Sequence, residues 1–356
     1  MIQALSKFQI VAGAQGNLRF FASQDGAPKP AAADDPTLAG LSQEGDAAQY
    51  ALSKLGLIDI HRQLRGDNIT IAVIDSQIDI KHPDLQGVIA DSFDAVGAAE
   101  PAHSHGTGMA GAIAAHRRLM GIAPAAQIYA VHAFSSGTAT AESTTFSILK
   151  GIDWAASKGV RVINMSFAGP RDPSIERQLK IAHDRGIVLI AAAGNAGPKS
   201  PPLYPAADPN VIAVTATDAN DKVFAGANRG AYIAVAAPGV DVLVPAPEAS
   251  YQLTTGTSVA SAEISGVVAL LLERNPKLTP EDVRTVLTSS AKKLGANTDY
   301  GSGLVDPSKA VQTAGEFTSD VTATVKPPAP KPQPAPATRF APDTKHPAAP
   351  RPASVR

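Results

Sequence analysis

Four polar positions in this sequence carry side chains that could together hydrolyse an acyl bond. With their surrounding motifs they are Asp75 in AVIDSQ, His105 in HSHGTGMAG, Asn195 in AAAGNAG and Ser258 in GTSVASAEISG. A serine hydroxyl is a weak nucleophile at neutral pH, so it needs an adjacent base, and that base needs a group to orient it. Aspartate, histidine and serine supply these three roles, and the backbone N–H groups at a helix N-terminus can stabilise a developing oxyanion. The four positions therefore predict nucleophilic hydrolysis.

The segments that would position these residues alternate between strands and helices. Buried strands are predicted for five apolar runs: ITIAVID, QIYAVHAF, RVINMSF, IVLIAAA and VIAVTAT. Helical stretches lie between them, and two of these end at Gly159 and Gly186, where glycine can terminate a helix. The alternation predicts an α/β fold of three layers, with a mostly parallel central sheet and helices on both faces. Ligands bind at the carboxyl ends of such strands, which is where Asp75 and Asn195 are placed.

The order of the catalytic residue types along the chain distinguishes between hydrolase plans. An α/β-hydrolase needs a histidine after its serine, but the histidine that follows Ser258 is His346, in a proline-rich stretch, and GTSVA lacks the second glycine of GxSxG. The order His105, Asp153, Ser258 belongs to paired β-barrels, whereas this chain alternates strands with helices. The order aspartate, histidine, serine is the one that suits the predicted sheet.

The motifs DSQIDIKHPDL, HGTGMAG, AAAGNAG and GTSVASAEISG resemble, in this order, those of the subtilisin-like serine peptidases, or subtilases. The resemblance covers about residues 48–312. The segments VINMSFAG and VAAPG also match the corresponding segments of the family in order along the chain. The resemblance implies a subtilisin-like fold and endopeptidase hydrolysis of proteins or peptides through an acyl-enzyme. Matched residue by residue, it implies Asp75 as the orienting carboxylate, His105 as the general base and Ser258 as the nucleophile. The side chain of Asn195 would donate a hydrogen bond to the oxyanion.

The same resemblance implies a substrate cleft with two edges that grip a peptide as an added strand. One edge would contain Ser166, Phe167 and Ala168 with Gly194 nearby, and the opposite edge Ser135, Ser136 and Gly137. The family usually has glycine where this chain has Ala168, so an added methyl group is expected to narrow the primary pocket.

Calcium is expected to be absent from one position that several relatives use. Asp84 in HPDL matches a calcium ligand of those relatives, whose other ligands come from a loop after the histidine-bearing helix. Here AAHRRLMGIAP joins that helix directly to the next strand, so the loop is shortened. Because calcium takes six or more oxygen ligands, the sequence predicts no calcium at this position and no other cofactor, and it leaves calcium binding elsewhere in the chain open.

Composition excludes several classes of function. The formal net charge is −1, so the chain lacks the excess of basic residues that is typical of a nucleic-acid-binding protein. The chain has no cysteine, which excludes thiol catalysis, cysteine-ligated zinc and disulfides. No apolar run reaches 18 residues, so no transmembrane segment is predicted. The N-terminus, MIQALSKFQIVAG, lacks the features of a signal peptide. The extracellular or periplasmic location that the resemblance implies would therefore need an export signal from outside this sequence, and a cytoplasmic form is the alternative.

Three regions are predicted along the chain. Residues 1–47 are interpreted as an N-terminal segment that holds a prodomain remnant and a linker, residues 48–313 as the peptidase domain, and residues 314–356 as a basic tail rich in proline and alanine. Ten of the thirty residues 327–356 are proline, a composition that cannot pack a core and predicts disorder.

Two other functions remain open at this point. Val259 and Glu263 depart from the family pattern after Ser258, which is the support for a catalytically impaired protease or a peptide-binding module on the same scaffold. An esterase or amidase acting on small substrates would use the same residues with a closed pocket in place of the two-edged cleft. A third interpretation, a zinc site at His103 and His105, lacks a nearby third ligand in the sequence.

Overall fold

The computed structural model describes residues 16–22, 29–30, 45–136 and 141–317. Its strands are β1 (Arg19–Ala22), β2 (Lys29–Pro30), β3 (Thr70–Ser76), β4 (Ile89–Asp94), β5 (Gln127–Phe134), β6 (Glu142–Thr144), β7 (Val162–Met165), β8 (Phe167–Ala168), β9 (Val188–Ala192), β10 (Val211–Thr217), β11 (Ile233–Pro238), β12 (Val242–Ala246) and β13 (Ser250–Thr254). Its helices are α1 (Tyr50–Lys54), α2 (Leu57–Ile60), α3 (Ser104–Ala114), α4 (Thr145–Ser157), α5 (Pro173–Asp184), α6 (Thr257–Arg274), α7 (Pro280–Ser290), α8 (Asn297–Tyr300) and α9 (Pro307–Glu316).

Seven strands form one central sheet in the order β11-β10-β9-β7-β3-β5-β4. Every neighbouring pair in this sheet is parallel, which requires a crossover connection between successive strands. The strands β9, β7 and β3 are neighbours, so their carboxyl ends meet at one edge of the sheet. Two three-stranded antiparallel sheets, β6-β1-β8 and β12-β13-β2, complete the strand pairing.

Helices cover both faces of the central sheet, as predicted. Along β3, Ile71 and Val73 face the core packed by α3, α6 and α7, while Ala72 and Ile74 face the core packed by α4 and α5. This alternation follows from the period of two in a strand, and both faces are apolar because both are covered. Helix α6 is buried along almost its whole length, from Thr257 to Leu272, and lies against the middle of the sheet.

The structure corrects three details of the predicted layout. The strand expected over residues 161–167 is divided at Ser166 into β7 and β8, since the carbonyl of Ser166 turns to accept a hydrogen bond from Ser258. Within the predicted linker, Lys29–Pro30 pairs with β13. Helix α9 continues to Glu316, past the boundary placed at residue 313. Residues 1–15, 23–28, 31–44 and 318–356 of the two terminal regions lie outside the described residues.

Candidate active site

Asp75 and His105 form a buried hydrogen-bonded pair. Asp75 lies near the carboxyl end of β3 and His105 lies in the first turn of α3, and the two residues are 2% and 1% exposed. The Nδ1–H of His105 donates to Oδ1 of Asp75 at 2.7 Å, and the backbone N–H of Ser76 donates to the same oxygen at 2.7 Å. With the proton of the neutral imidazole on Nδ1, Nε2 carries the lone pair. This buried Nε2 has no hydrogen-bond partner among the described residues.

Close contact between β3 and α3 sets the position of the pair. The backbone N–H of Gly106 donates to the hydroxyl of Ser76 at 3.0 Å. A Cβ at residue 106 would collide with the carbonyl group of Ser76, so only glycine lets the helix approach the strand this closely. Gly106, like the histidine before it, belongs to the motif HGTG, which explains why the motif carries glycine at this point.

Ser258 lies in the first turn of α6, at the carboxyl edge of the sheet. The helix follows Gly256, whose φ of 152° is in the region that favours glycine. The Ser258 hydroxyl donates to the carbonyl oxygen of Ser166 at 3.1 Å. The structure thus brings Ser258 to the predicted cleft edge, while Nε2 of His105 makes no hydrogen bond to it or to any other described residue.

A buried polar network, absent from the sequence-based prediction, ties the start of α6 to β7. Asn164 donates to the Ser166 hydroxyl at 2.9 Å, and that hydroxyl donates to the carbonyl oxygen of Ser258 at 3.0 Å. The hydroxyls of Ser261 and Ser265 join the same network, at 3.0 Å from Ser166 Oγ and Asn164 Oδ1 respectively. The serines at 258, 261 and 265 share one face of an otherwise apolar helix, and this spacing was the signal in the sequence.

Thr257, the residue before Ser258, holds the Asn195 side chain beside that serine. Oδ1 of Asn195 accepts from the backbone N–H of Thr257 at 3.1 Å and from the Thr257 hydroxyl at 2.9 Å. Because Oδ1 is the accepting end, Nδ2 is the donating end of this side chain. The Thr257 hydroxyl also accepts from the backbone N–H of Gly194 at 3.0 Å, so Gly194 contributes to the site through its backbone.

An N-terminal segment of the chain forms a strand beside the predicted cleft edge at Phe167 and Ala168, between β8 and β6. Strand β1 pairs antiparallel with β8 on one side, with Phe21 opposite Ala168, and with β6 on the other, with Phe21 opposite Glu142. Outside the strand pairs, the N–H of Ala22 donates to the carbonyl oxygen of Ala141 at 3.1 Å. The prediction placed Phe167 and Ala168 at one edge, and both residues of β8 pair with this strand.

Phe20 anchors the inserted strand. It is 1% exposed, and its ring meets that of Phe167 edge-on with 6.3 Å between centroids. A Cβ at residue 169 would collide with the Phe20 ring, so Gly169 provides the space for it. The site therefore contains a pocket that accepts an aromatic side chain from an extended segment.

A carboxylate fixes the opposite edge of the cleft. Glu100 accepts from the Ser136 backbone N–H at 2.8 Å, from the Ser136 hydroxyl at 3.0 Å and from the Ser135 hydroxyl. Although burial opposes it, these hydrogen bonds lower the pKa of Glu100, with a contribution from His132. Sequence reasoning did not identify Glu100. The third residue predicted for this edge, Gly137, lies outside the described residues.

The Asp84 side chain is held by the backbone of the short segment that follows α3. Its carboxylate is fully buried and accepts from the backbone N–H groups of Arg118 and Leu119 at 2.9 and 3.1 Å. The Arg118 guanidinium lies 4.4 Å from the ring centre of Tyr251 beside it. Burial and the charge of Asp84 raise the pKa of Tyr251 to about 12, so its hydroxyl stays protonated. No group of three ligating histidine, aspartate or glutamate side chains occurs within the described ranges.

Comparison with known proteins matches this chain to one protein family and to individual members of it. The model of the subtilase family matches residues 66–303. Subtilisin E of Bacillus subtilis (strain 168) is 36% identical over 294 residues, which are 78% of this chain and 76% of that protein. A subtilisin of Bacillus pumilus is 36% identical over 273 residues, 74% of this chain and 98% of that protein. Subtilisin Savinase of Lederbergia lenta is 35% identical over 257 residues, 71% and 94% of the two chains.

The parallel central sheet with helices on both faces places this protein in the α/β class, with a buried aspartate–histidine pair at one edge of the sheet. With these matches, the chain belongs to the subtilase family and is a subtilisin-like serine endopeptidase. Its substrates are accordingly proteins or peptides. Across the part of the chain that the structure describes, no helix is long and apolar enough to cross a bilayer.

Proposed function

We propose that Asp75, His105 and Ser258 are the catalytic triad of this endopeptidase. The observation that carries the proposal is the Asp75–His105 hydrogen bond, which leaves a buried acceptor, Nε2, without a partner among the described residues. In catalysis the Ser258 hydroxyl rotates from the Ser166 carbonyl towards Nε2. The intact set of residue types argues against a catalytically impaired protease.

The proposed reaction proceeds through an acyl-enzyme. His105 removes the proton from Ser258 as Oγ attacks the peptide carbonyl carbon, and the imidazolium then protonates the leaving amine as the C–N bond breaks. Water attacks the ester next, His105 takes its proton, and that proton returns to Ser258. Asp75 holds the imidazole with Nδ1 protonated and stabilises its positive charge. Asn195 and the backbone N–H of Ser258 are proposed to donate to the oxyanion.

The cleft between β6 and β8 is proposed to bind the substrate as an added antiparallel strand. The chain's own β1 supports this, because it pairs with both edges in that manner. A closed pocket for a small ester or amide would not accept such a segment. We propose that Ser135, Ser136 and Gly137 extend the β6 edge, with Glu100 holding the first two in place.

Residues 1–47 are proposed to act as an inhibitory N-terminal segment. The contacts that support this are the pairing of Arg19–Ala22 in the cleft and the burial of Phe20. Residues 48–313 then form the peptidase and residues 314–356 a dispensable tail. We further propose that no calcium binds at Asp84, since backbone amides occupy its carboxylate. An extracellular or periplasmic site of action is proposed from the family resemblance, and cell fractionation tests it.

Kinetics of three variants on a blocked peptide amide test the catalytic assignment. Ser258→Ala and His105→Ala should each lower kcat by a factor of at least about 10³, and Asp75→Asn by about 10⁴, because removal of any member disables the same proton transfers. Ser289→Ala, at an exposed serine of α7, is the matched control. Retention of parent-like turnover in Ser258→Ala would overturn the proposal.

A further inference from the structure

A second histidine, His103, is linked to the Asp75–His105 pair through a serine. Its Nδ1 lies 3.1 Å from the Ser76 hydroxyl, and that hydroxyl lies 3.1 Å from Oδ1 of Asp75. The same Nδ1 accepts a hydrogen bond from the backbone N–H of His105 at 3.2 Å and thereby caps helix α3. His103 therefore contacts the catalytic pair by two routes, through the carboxylate and through the helix that carries the base.

The hydrogen bond from the His105 backbone N–H requires a lone pair on Nδ1 of His103. A nitrogen that accepts from a backbone N–H is unprotonated, so the neutral ring carries its proton on Nε2. Protonation at Nδ1 removes the acceptor of the His105 N–H and so removes the N-cap of α3. The new Nδ1–H would donate instead to the Ser76 hydroxyl, which already donates to Oδ1 of Asp75. Both changes act on groups that hold the general base.

Protonation of His103 also places a positive charge close to the His105 ring, which must itself become positively charged during catalysis. The charge would lie at the N-terminus of α3, where the helix dipole disfavours a cation. It would also lie next to His105, which becomes an imidazolium during the proposed reaction. A charged donor to Ser76 would strengthen the hydrogen bond that Ser76 donates to Asp75, which draws negative charge away from that imidazolium. Each effect lowers the basicity of His105.

We propose that His103 is a positioning residue for the Asp75–His105 pair and that hydrolysis requires its ring to be neutral. This inference rests on the proposed catalytic roles and adds a second proton whose binding inactivates the site. Sequence position alone made His103 a candidate zinc ligand with His105, but in the structure the two rings serve different partners.

Three ionisable groups face the His103 ring. Burial lowers the pKa of His103 below its ordinary 6.5, and the positive charge of protonated His105 lowers it further, whereas Asp75 and Glu100 act in the opposite direction. Because the net shift is downward, His103 is neutral at neutral pH and protonates only as the pH falls below 6.5. The inactivating protonation is therefore confined to the acidic limb of the pH profile.

The slope of the acidic limb of the pH profile tests whether His103 must be neutral. If His105 alone must be unprotonated, log kcat/KM rises with pH at a slope of about 1, whereas two required deprotonations give a slope that approaches 2 at the acid end. The measurement is kcat/KM on a blocked peptide amide with no ionisable group, from about pH 4.5 to 9. Aliquots returned to pH 8 are the control for stability, because activity lost through reversible protonation is recovered and activity lost through irreversible unfolding is not.

His103→Asn and His103→Gln are the informative variants. The asparagine oxygen can accept from the His105 N–H as an N-cap but does not titrate. Both variants should reduce the acid-limb slope from about 2 to about 1 and so raise the ratio of kcat/KM at the acid end of the range to that at pH 8. His183→Asn, on α5 and paired with Glu281, is the matched control and should keep the parent slope.

The outcomes separate this inference from the catalytic proposal. A parent slope of about 1 throughout would overturn the role of His103 by itself, even if neither variant folds. A slope that stays near 2 in a folded His103→Asn would do the same. If His105→Ala retains activity, the catalytic assignment is wrong, and the inference about His103 is wrong with it because it rests on that assignment. If His105→Ala is inactive and His103→Asn has the parent slope, only the inference about His103 is wrong.

Discussion

Replacement of Glu263 by glutamine should stabilise the folded protein increasingly as the pH rises. Glu263 lies in α6, five residues after Ser258, and is 2% exposed. Leu52, Ala112 and Val242 line the small enclosed space beside it, and Oε2 has no hydrogen-bond partner among the described residues. Burial raises the pKa of Glu263 well above its ordinary value of 4.5, because a charge there would lose its hydration. The folded protein therefore holds this carboxyl in its neutral form.

The sign and size of the effect follow from proton linkage. Above pH 4.5 the unfolded chain releases the Glu263 proton, whereas the folded protein keeps it until its raised pKa is reached. The folded state binds more protons in that interval, so the carboxyl destabilises it by about 1.4 kcal/mol for each pH unit. Glutamine has nearly the same shape and no proton to lose. The advantage of Glu263→Gln should therefore grow as the pH rises from about 5 towards that raised pKa, by at most about 1.4 kcal/mol for each pH unit.

The assay compares free energies of unfolding in denaturant at several pH values. Both chains carry Ser258→Ala, so that neither digests itself during the measurement. Glu248→Gln, at an exposed carboxyl, serves as the control and should give a curve parallel to the reference. If the Glu263→Gln curve also runs parallel to the reference between about pH 5 and 7, the neutral buried carboxyl is refuted.

Three further perturbations test the other parts of the site. Asn195→Ala should lower kcat by about 10²–10³ with little change in KM, a range that comes from this same family, and equal loss in both constants would contradict the oxyanion role. Phe20→Ala removes a buried ring worth about 3–5 kcal/mol, so the unprocessed chain should cleave an added peptide at least about tenfold faster than the parent. The exposed Phe146→Ala is its control, and no gain in rate would count against an inhibitory β1. A chelator should leave the Tm of the protein within about 1 °C, since Asp84 already has two backbone donors; a large fall would show a bound metal.

The central sheet could be predicted from the sequence because its strands are buried on both faces. Continuous apolar runs rich in β-branched residues indicated β5 and β10 with their observed ends, and β3 to within one residue. The polar residues that follow such runs are few, so the candidate aspartate and asparagine stood out. Gly159 and Gly186 follow their helices with φ of 70° and 83°, as expected of terminating glycines.

Long-range contacts account for what sequence reasoning missed. The four residues of β1 have no strong pattern of their own, and their partners Glu142 and Ala168 lie more than a hundred positions away. The division of β7 from β8 depends on the hydroxyl of Ser258, which no local pattern reveals. The backbone donors to Asp84 likewise arise from how a short loop folds back, which composition does not indicate.

Covalent labelling with a fluorophosphonate probe tests the central claim most directly. The probe phosphonylates a serine hydroxyl only when an adjacent base and an oxyanion site activate it, so it reports the proposed triad without requiring knowledge of the natural substrate. Mass mapping of the labelled, folded protein should place one adduct on Ser258, with no adduct in Ser258→Ala and at least about a hundredfold slower labelling in His105→Ala. An unlabelled folded protein, or an adduct on another residue, would contradict the account.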